Sequence, residues 1–133
     1  MTELIDETIA AFGRSIGMEG LRLRENGALV LEMTNIGTLC IECIGEYRDQ
    51  VSVSIARNIE PPDAEACKRI LELCHYRNQA PWEVHAGFNS RGGLVFAVGM
   101  VPADFNLPNM HEAIDWLDGL HQQIHSSVRL VQA

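Results

Sequence analysis

Three consecutive stretches of this chain alternate apolar and polar residues with the period of a β-strand. Leu29, Leu31 and Met33 alternate with Val30 and Glu32. Leu39, Ile41 and Cys43 alternate with Cys40 and Glu42, and Val51, Val53 and Ile55 with Ser52 and Ser54. A slip of one residue in pairing would turn every apolar side chain to the wrong face, so such a pattern specifies its register strongly. The connections, Asn35-Ile36-Gly37 and Tyr47-Arg48-Asp49, are too short for a crossover and imply an antiparallel meander. Leu21 and Leu23 flank Arg22 just before Asn26-Gly27, a two-residue hairpin signal that predicts one further strand at the start of the meander.

Helices bracket these strands. Ile5, Ile9, Phe12 and Ile16 recur at helical spacing as one apolar stripe, with Thr2 as a candidate N-cap and Gly17 as the stop. Pro61-Pro62 ends the meander. Asp63 then caps a second helix running to about Tyr76, whose wide apolar face holds Ala66, Cys67, Ile70, Leu71, Leu73 and Cys74. A second hairpin follows, with Trp82, Val84, Ala86 and Phe88 on one face of its first strand. Leu94, Phe96, Val98 and Met100 lie on one face of its partner. The last helix carries Met110, Ile114, Leu117, His121, Ile124 and Val128 on one seam. The expected order is α-β-β-β-β-α-β-β-α, a twisted antiparallel sheet with helices packed on it. This is an α+β fold in a single domain over residues 1–133.

Charge narrows the function. The chain of 133 residues has a net charge of −8, which disfavours nucleic acid and anionic membranes as partners. No apolar run approaches the ~20 residues of a membrane span. The acidic start, with Glu3, Asp6 and Glu7, is unlike a secretory leader, so a cytoplasmic protein with reduced thiols is expected. Residues 1–62 hold ten acidic and five basic residues, residues 102–133 four and one, while residues 63–101 are balanced at four and four. A neutral, apolar central block between acidic flanks suits self-association, because like charges would otherwise face each other across a two-fold axis.

Candidate chemistry is sparse. Cys40 and Cys43 have the spacing of half a zinc site, but three residues apart on a strand they point to opposite faces. Cys67 and Cys74, seven apart on one helix, have core or interface spacing. No cysteine stands at a strand-to-helix elbow where its pKa would fall, and no metal or cofactor is expected. Of the histidines, His111, His121 and His125 are read as solvated or half-buried. Asp115 and Asp118 are read as a solvated helix face, and Arg91-Gly92-Gly93 as a turn between strands, with no helix to cradle a phosphate. Apolar residues such as Val30, Ile44 and Leu4 exceed what the stripes require. They either mark a binding surface for another chain or fill a two-layer core.

The chain resembles the class I type III secretion chaperones, of the CesT-like family, from Leu4 to about Ile124. The resemblance is carried by the helix ending in Phe12-Gly13-Arg14-Ser15-Ile16-Gly17 and by the segment from Leu21 to Leu31. It extends through the helix from Ala66 to His75, the hairpin from Val84 to Met100, and the closing helix. Ile70-Leu71-Glu72-Leu73-Cys74-His75-Tyr76 and Pro102-Ala103-Asp104-Phe105 are most similar to the subclass serving several effectors. The resemblance implies a bacterial, cytoplasmic homodimer, not an enzyme. Such a protein binds the N-terminal chaperone-binding segment of secreted effector proteins in extended form and keeps them export-competent, without ATP or metal of its own. The ATPase of the secretion apparatus is a further candidate partner. On this reading Ile5, Ile9, Phe12, Leu29, Leu31 and Ile41 contribute to effector-binding patches or their floor. Ile70, Leu73, Cys74, Trp82 and Val84 form the dimer contact. The alternatives are a regulatory protein-binding module of the same fold, as in the YbjN-like proteins, and a small thiol or zinc enzyme.

Overall fold

The computed structural model describes residues 2–45, 49–75 and 81–132. Helix α1 (Thr2–Ser15) is followed by strands β1 (Ala28–Met33), β2 (Gly37–Ile44) and β3 (Gln50–Asn58). Helix α2 (Ala64–Leu73), strands β4 (Val84–Phe88) and β5 (Gly93–Met100), a 3-10 turn (Pro102–Asp104) and helix α3 (Leu107–Gln132) complete the chain. The five strands form one antiparallel sheet in the order β1-β2-β3-β5-β4.

The fold is thus the expected α+β arrangement with one strand fewer. Leu21 and Leu23 lie in irregular chain rather than a strand. Their side chains pack against the core half-buried, so the alternation reports burial without a ladder. The reason is local. Gly13 in α1 is so close to Leu21 that a side chain there would meet Leu21 Cβ at 2.8 Å. Leu21 thus runs closely against the end of α1. The Asn26-Gly27 turn does form: Gly27 takes a φ of 80°, and the Arg24 N–H donates to the Ala28 carbonyl at 2.9 Å.

Elsewhere the local signals act as read. Asp63 caps α2, its carboxylate accepting from the Ala66 N–H at 2.8 Å. The helix ends at Leu73 with Cys74 as its C-cap, short of the expected end; Tyr76 lies outside the described residues, as do Tyr47, Arg48 and the side chains of His125 and Val128. Asn106 caps α3, accepting from the Asn109 N–H at 2.9 Å. No described helix is long and apolar enough to cross a membrane.

The helices lie against one face of the sheet. Ile5, Ile9 and Phe12 of α1 join Leu39, Ile41, Val53, Ile55, Phe96 and Val98 of the sheet and Met110, Leu117 and Ile124 of α3 in one core. The other face carries short or polar side chains in register across the strands, from Val30 through Cys40 and Ser54 to Ala97 and His85.

Two polar contacts fix α3 across the centre of the sheet. His121 is not solvated: it is 2% exposed. Its Nε2 lies 2.7 Å from the Ile55 carbonyl of β3, and its ring meets Phe96 edge-on at 4.9 Å. A carbonyl only accepts, so Nε2–H is the donor. Asp118 is likewise half-buried and paired with Arg57 of β3, rather than free on a solvated face. Arg57 also donates to the Ile36 and Asn35 carbonyls of the β1–β2 turn.

Burial holds the His121 imidazole below its ordinary range; the hydrogen bond to Ile55 opposes this, Arg57 adds to it and Asp118 opposes it. The unfolded chain therefore binds a proton first on acidification. Stability is complete above the ordinary histidine value of about 6.5 and falls as pH drops below it towards the lower folded value. Urea unfolding between about pH 7.5 and 5.5 is expected to show this loss in the native chain and to lack most of it in His121→Gln. Equal slopes in both proteins would contradict the assignment.

Candidate protein-binding surfaces

Among the described residues no further strand pairs with β1 or β4 at the sheet edges, and the register identifies which backbone groups those edges present. In an antiparallel pair, alternate residues exchange both hydrogen bonds with the partner strand, and those between point outward. The Cys43 N–H donates to the Gly27 carbonyl at 2.9 Å, which sets the phase for β1. Leu29 and Leu31 are bonded to Ile41 and Leu39, while Ala28, Val30 and Glu32 face the free edge. The chain closes the first of these itself. The Ala28 N–H donates to Asn26 Oδ1 at 3.1 Å, and the Ala28 carbonyl accepts from Arg24. Val30 and Glu32 remain, with Val30 52% exposed. An apolar residue and two open backbone positions on an edge strand form a template for another strand.

The same argument places Ala86 and Phe88 on the free edge of β4, because the Asn89 N–H donates to the Gly93 carbonyl at 2.9 Å. Beside this edge an apolar cleft of about 330 Å³ runs between β4 and α2, lined by Cys67, Ile70, Leu71, Cys74, Ala86 and Phe88. Leu71 is 74% exposed and Phe88 51%. Two large apolar side chains so exposed beside a cleft are a surface suited to another chain.

The sequence-derived site residues sit mostly beneath these surfaces. Ile5, Ile9, Phe12, Leu29 and Ile41 are buried in the core, so they can support an effector-binding surface only from below. Leu31 is half-buried on β1, packed against that core. Of the expected dimer contacts, Ile70 and Val84 are buried, and Leu73, Cys74 and Trp82 are half-buried against the core. Trp82 meets Trp116 of α3 with the rings tilted and their centroids 6.2 Å apart. Ile70 and Cys74 line the cleft, and Leu71 and Phe88 are its large exposed apolar side chains. Periodicity misses them because Leu71 reads as part of one wide helix face and Phe88 as part of the strand's inner stripe.

The thiols are spread out. Cys40 and Cys43 point to opposite faces of β2, and no group of three or more metal-ligating side chains converges among the described residues. Burial, with the Glu42 carboxylate 3.3 Å away, pushes the Cys40 thiol up to about 11. Burial also pushes the Cys74 thiol up. Both shifts run against thiolate formation.

The family model for the type III secretory system chaperone SycN matches residues 4–125. No curated protein matches the chain. Several solved structures share its fold. A chain of the ExsC–ExsE complex superposes with a TM-score of 0.73 at 17% identity, covering 98% of this chain and 95% of that one. A chain of the HopA1–SchA chaperone–effector complex gives 0.68 at 13% identity, covering 91% and 95%. The Yersinia pestis type III secretion chaperone SycH, solved with a stable fragment of YscM2, gives 0.67 at 12% identity, covering 92% and 98%.

Alkylation with iodoacetamide at about pH 8 is expected to modify exposed Cys67 first and Cys40 at least roughly tenfold more slowly, since only the thiolate reacts. Peptide mapping of a time course measures this. Faster modification of Cys40 would mean that Glu42 does not hold the thiol in its neutral form.

Proposed function

The chain belongs to the type III secretory system chaperone SycN family, and from that premise we propose that it acts as a homodimer in the bacterial cytoplasm. There it binds the N-terminal chaperone-binding segment of secreted effector proteins in extended form. The observation that carries this reading is the open edge of β1. Val30 and Glu32 present unpaired backbone groups there, above a core floored by Ile5, Ile9, Phe12, Leu29, Leu31 and Ile41. An effector strand added at this edge gains main-chain hydrogen bonds, and its alternate side chains meet the apolar rim. Strand addition suits a client that must stay unfolded, because it reads backbone rather than a folded surface. Relatives of this fold solved with a partner, the HopA1–SchA chaperone–effector complex among them, are consistent with it.

The second copy belongs at the other edge. The cleft between α2 and β4, with Leu71 and Phe88 exposed and Ile70 and Cys74 in its lining, is neutral and apolar, and Leu73, Trp82 and Val84 of the same contact pack in or against the core. The cleft can meet its own image without charge repulsion. The acidic flanks then face outward and keep the loaded complex soluble. The loaded dimer is a natural client for the ATPase of the secretion apparatus, which this reading includes as a partner.

Two variants separate the surfaces. In Val30→Pro the lost N–H faces outward, a position that edge strands tolerate. The protein should fold and dimerise, yet capture co-expressed effector roughly tenfold less well, the equivalent of one or two hydrogen bonds. Undiminished capture would remove β1 as the binding edge. In Leu71→Asp an exposed side chain changes, so folding should persist while sedimentation shows a monomer. A dimer of native affinity would place the interface elsewhere.

A further inference from the structure

One end of the sheet is shaped into a groove that extends beyond the open edge of β1 and lies apart from the cleft between α2 and β4. The β1–β2 turn and the β4–β5 turn rise on either side of the end of β3, enclosing about 940 Å³. In the sheet order these turns stand about three strand spacings apart, roughly 14 Å at ~4.8 Å each. An extended chain covers that span with about four residues.

Both walls are held firmly. Arg57 ties the first through the Ile36 and Asn35 carbonyls and is itself neutralised by Asp118. Gly37 presses so closely on β3 that a Cβ there would sit 2.5 Å from the Ala56 carbonyl oxygen. Asn89 ties the second: its Oδ1 accepts from the Arg91 and Gly93 N–H groups at 3.0 and 2.8 Å. Polar side chains of Thr38 and Asn58 on the floor and of Asn35 and Ser90 on the walls share the lining with Val30, Met33, Ile36 and Ala56. Its single carboxylate, Glu32, accepts from the Thr38 hydroxyl at 3.3 Å. Arg91 stands at the rim, exposed, with no ion-pair partner among the described residues. In a chain of net charge −8, an unpaired guanidinium over a polar groove is a local site for a carboxylate.

We propose that this groove binds a short, extended, polar segment of the effector with an Asp or Glu paired to Arg91. The proposal rests on the effector-binding reading, and continuity supports it. Val30 and Glu32 belong both to the open edge of β1 and to the groove lining. A strand added at that edge therefore runs off the sheet where the groove begins. The apolar part of the client is held along β1 and the acidic part is held across the strand ends. A long polyanion is a poor occupant, since the chain's net charge repels it within about 10 Å at ordinary salt.

The test is an NMR titration of the full chain with a short peptide of alternating Ser and Glu. Matched Ser/Lys and Ser/Gln peptides serve as controls. The acidic peptide is expected to give saturable amide shifts confined to residues 35–38, 56–58 and 89–91. Arg91→Glu should weaken that binding roughly tenfold or more, as loss of a charge-assisted hydrogen bond would, while Arg91→Lys retains part of it. Equal binding of the lysine peptide, an unchanged affinity in Arg91→Glu, or no saturable shifts in the groove would each overturn the proposal. Effector capture by the native chain is read separately. If it fails, the chaperone reading fails, and the titration still decides whether the groove takes a carboxylate.

Discussion

The seating of α3 across β3 and β5 is the contact from which the other features follow. His121 reaches the Ile55 carbonyl, and Asp118 reaches Arg57 on the same strand. Between and around them Met110, Leu117 and Ile124 bury the centre of one sheet face. A buried imidazole without its carbonyl partner would leave a desolvated polar group of about 1–3 kcal/mol. The pairing therefore fixes the helix against one strand and one register. Arg57 extends the constraint to the β1–β2 turn, so the helix, the central strand and one end of the sheet are coupled through a single guanidinium.

Covering one face leaves the rest of the sheet available. Sheets usually protect their edges with charge, proline or a bulge. Here β1 keeps Val30 exposed beside two unpaired backbone positions, and β4 keeps Phe88 exposed beside the cleft under α2. Edge positions of this kind are liable to pair with whatever strand they meet. In a chaperone that liability becomes function if one edge is occupied by a second copy and the other by the client. The division of charge along the sequence fits that allocation, with the neutral block supplying α2 and β4.

Much of this was legible in the sequence. Alternation in β1, β2 and β3 fixed register because a slip would expose an entire stripe, and Asp63 announced α2 because a short carboxylate satisfies an otherwise unpaired helix N–H. The second hairpin formed with the expected faces, Val84, Ala86 and Phe88 opposite Val98, Phe96 and Leu94, although Trp82, expected on its first strand, lies before β4 begins at Val84. Leu21 and Leu23 were misread because alternation records which side is buried and not whether a ladder exists. His121 was misread as solvated or half-buried because a histidine on an apolar seam is assigned by its partner, and a carbonyl 66 residues away in sequence leaves no local trace. The site residues chosen from the sequence lie in the core or half-buried against it. The strongest apolar stripe marks the core, whereas Val30, Leu71 and Phe88 are apolar excess that the fold leaves exposed.

The account turns on the free edge of β1, and hydrogen exchange of the chaperone alone and with its effector bound measures that edge directly. The amides of Val30 and Glu32 should exchange rapidly in the free protein and become protected in the complex, while those of Leu29 and Leu31, bonded to β2, stay protected throughout. Protection of Val30 and Glu32 that is unchanged by a bound effector would contradict strand addition at this edge.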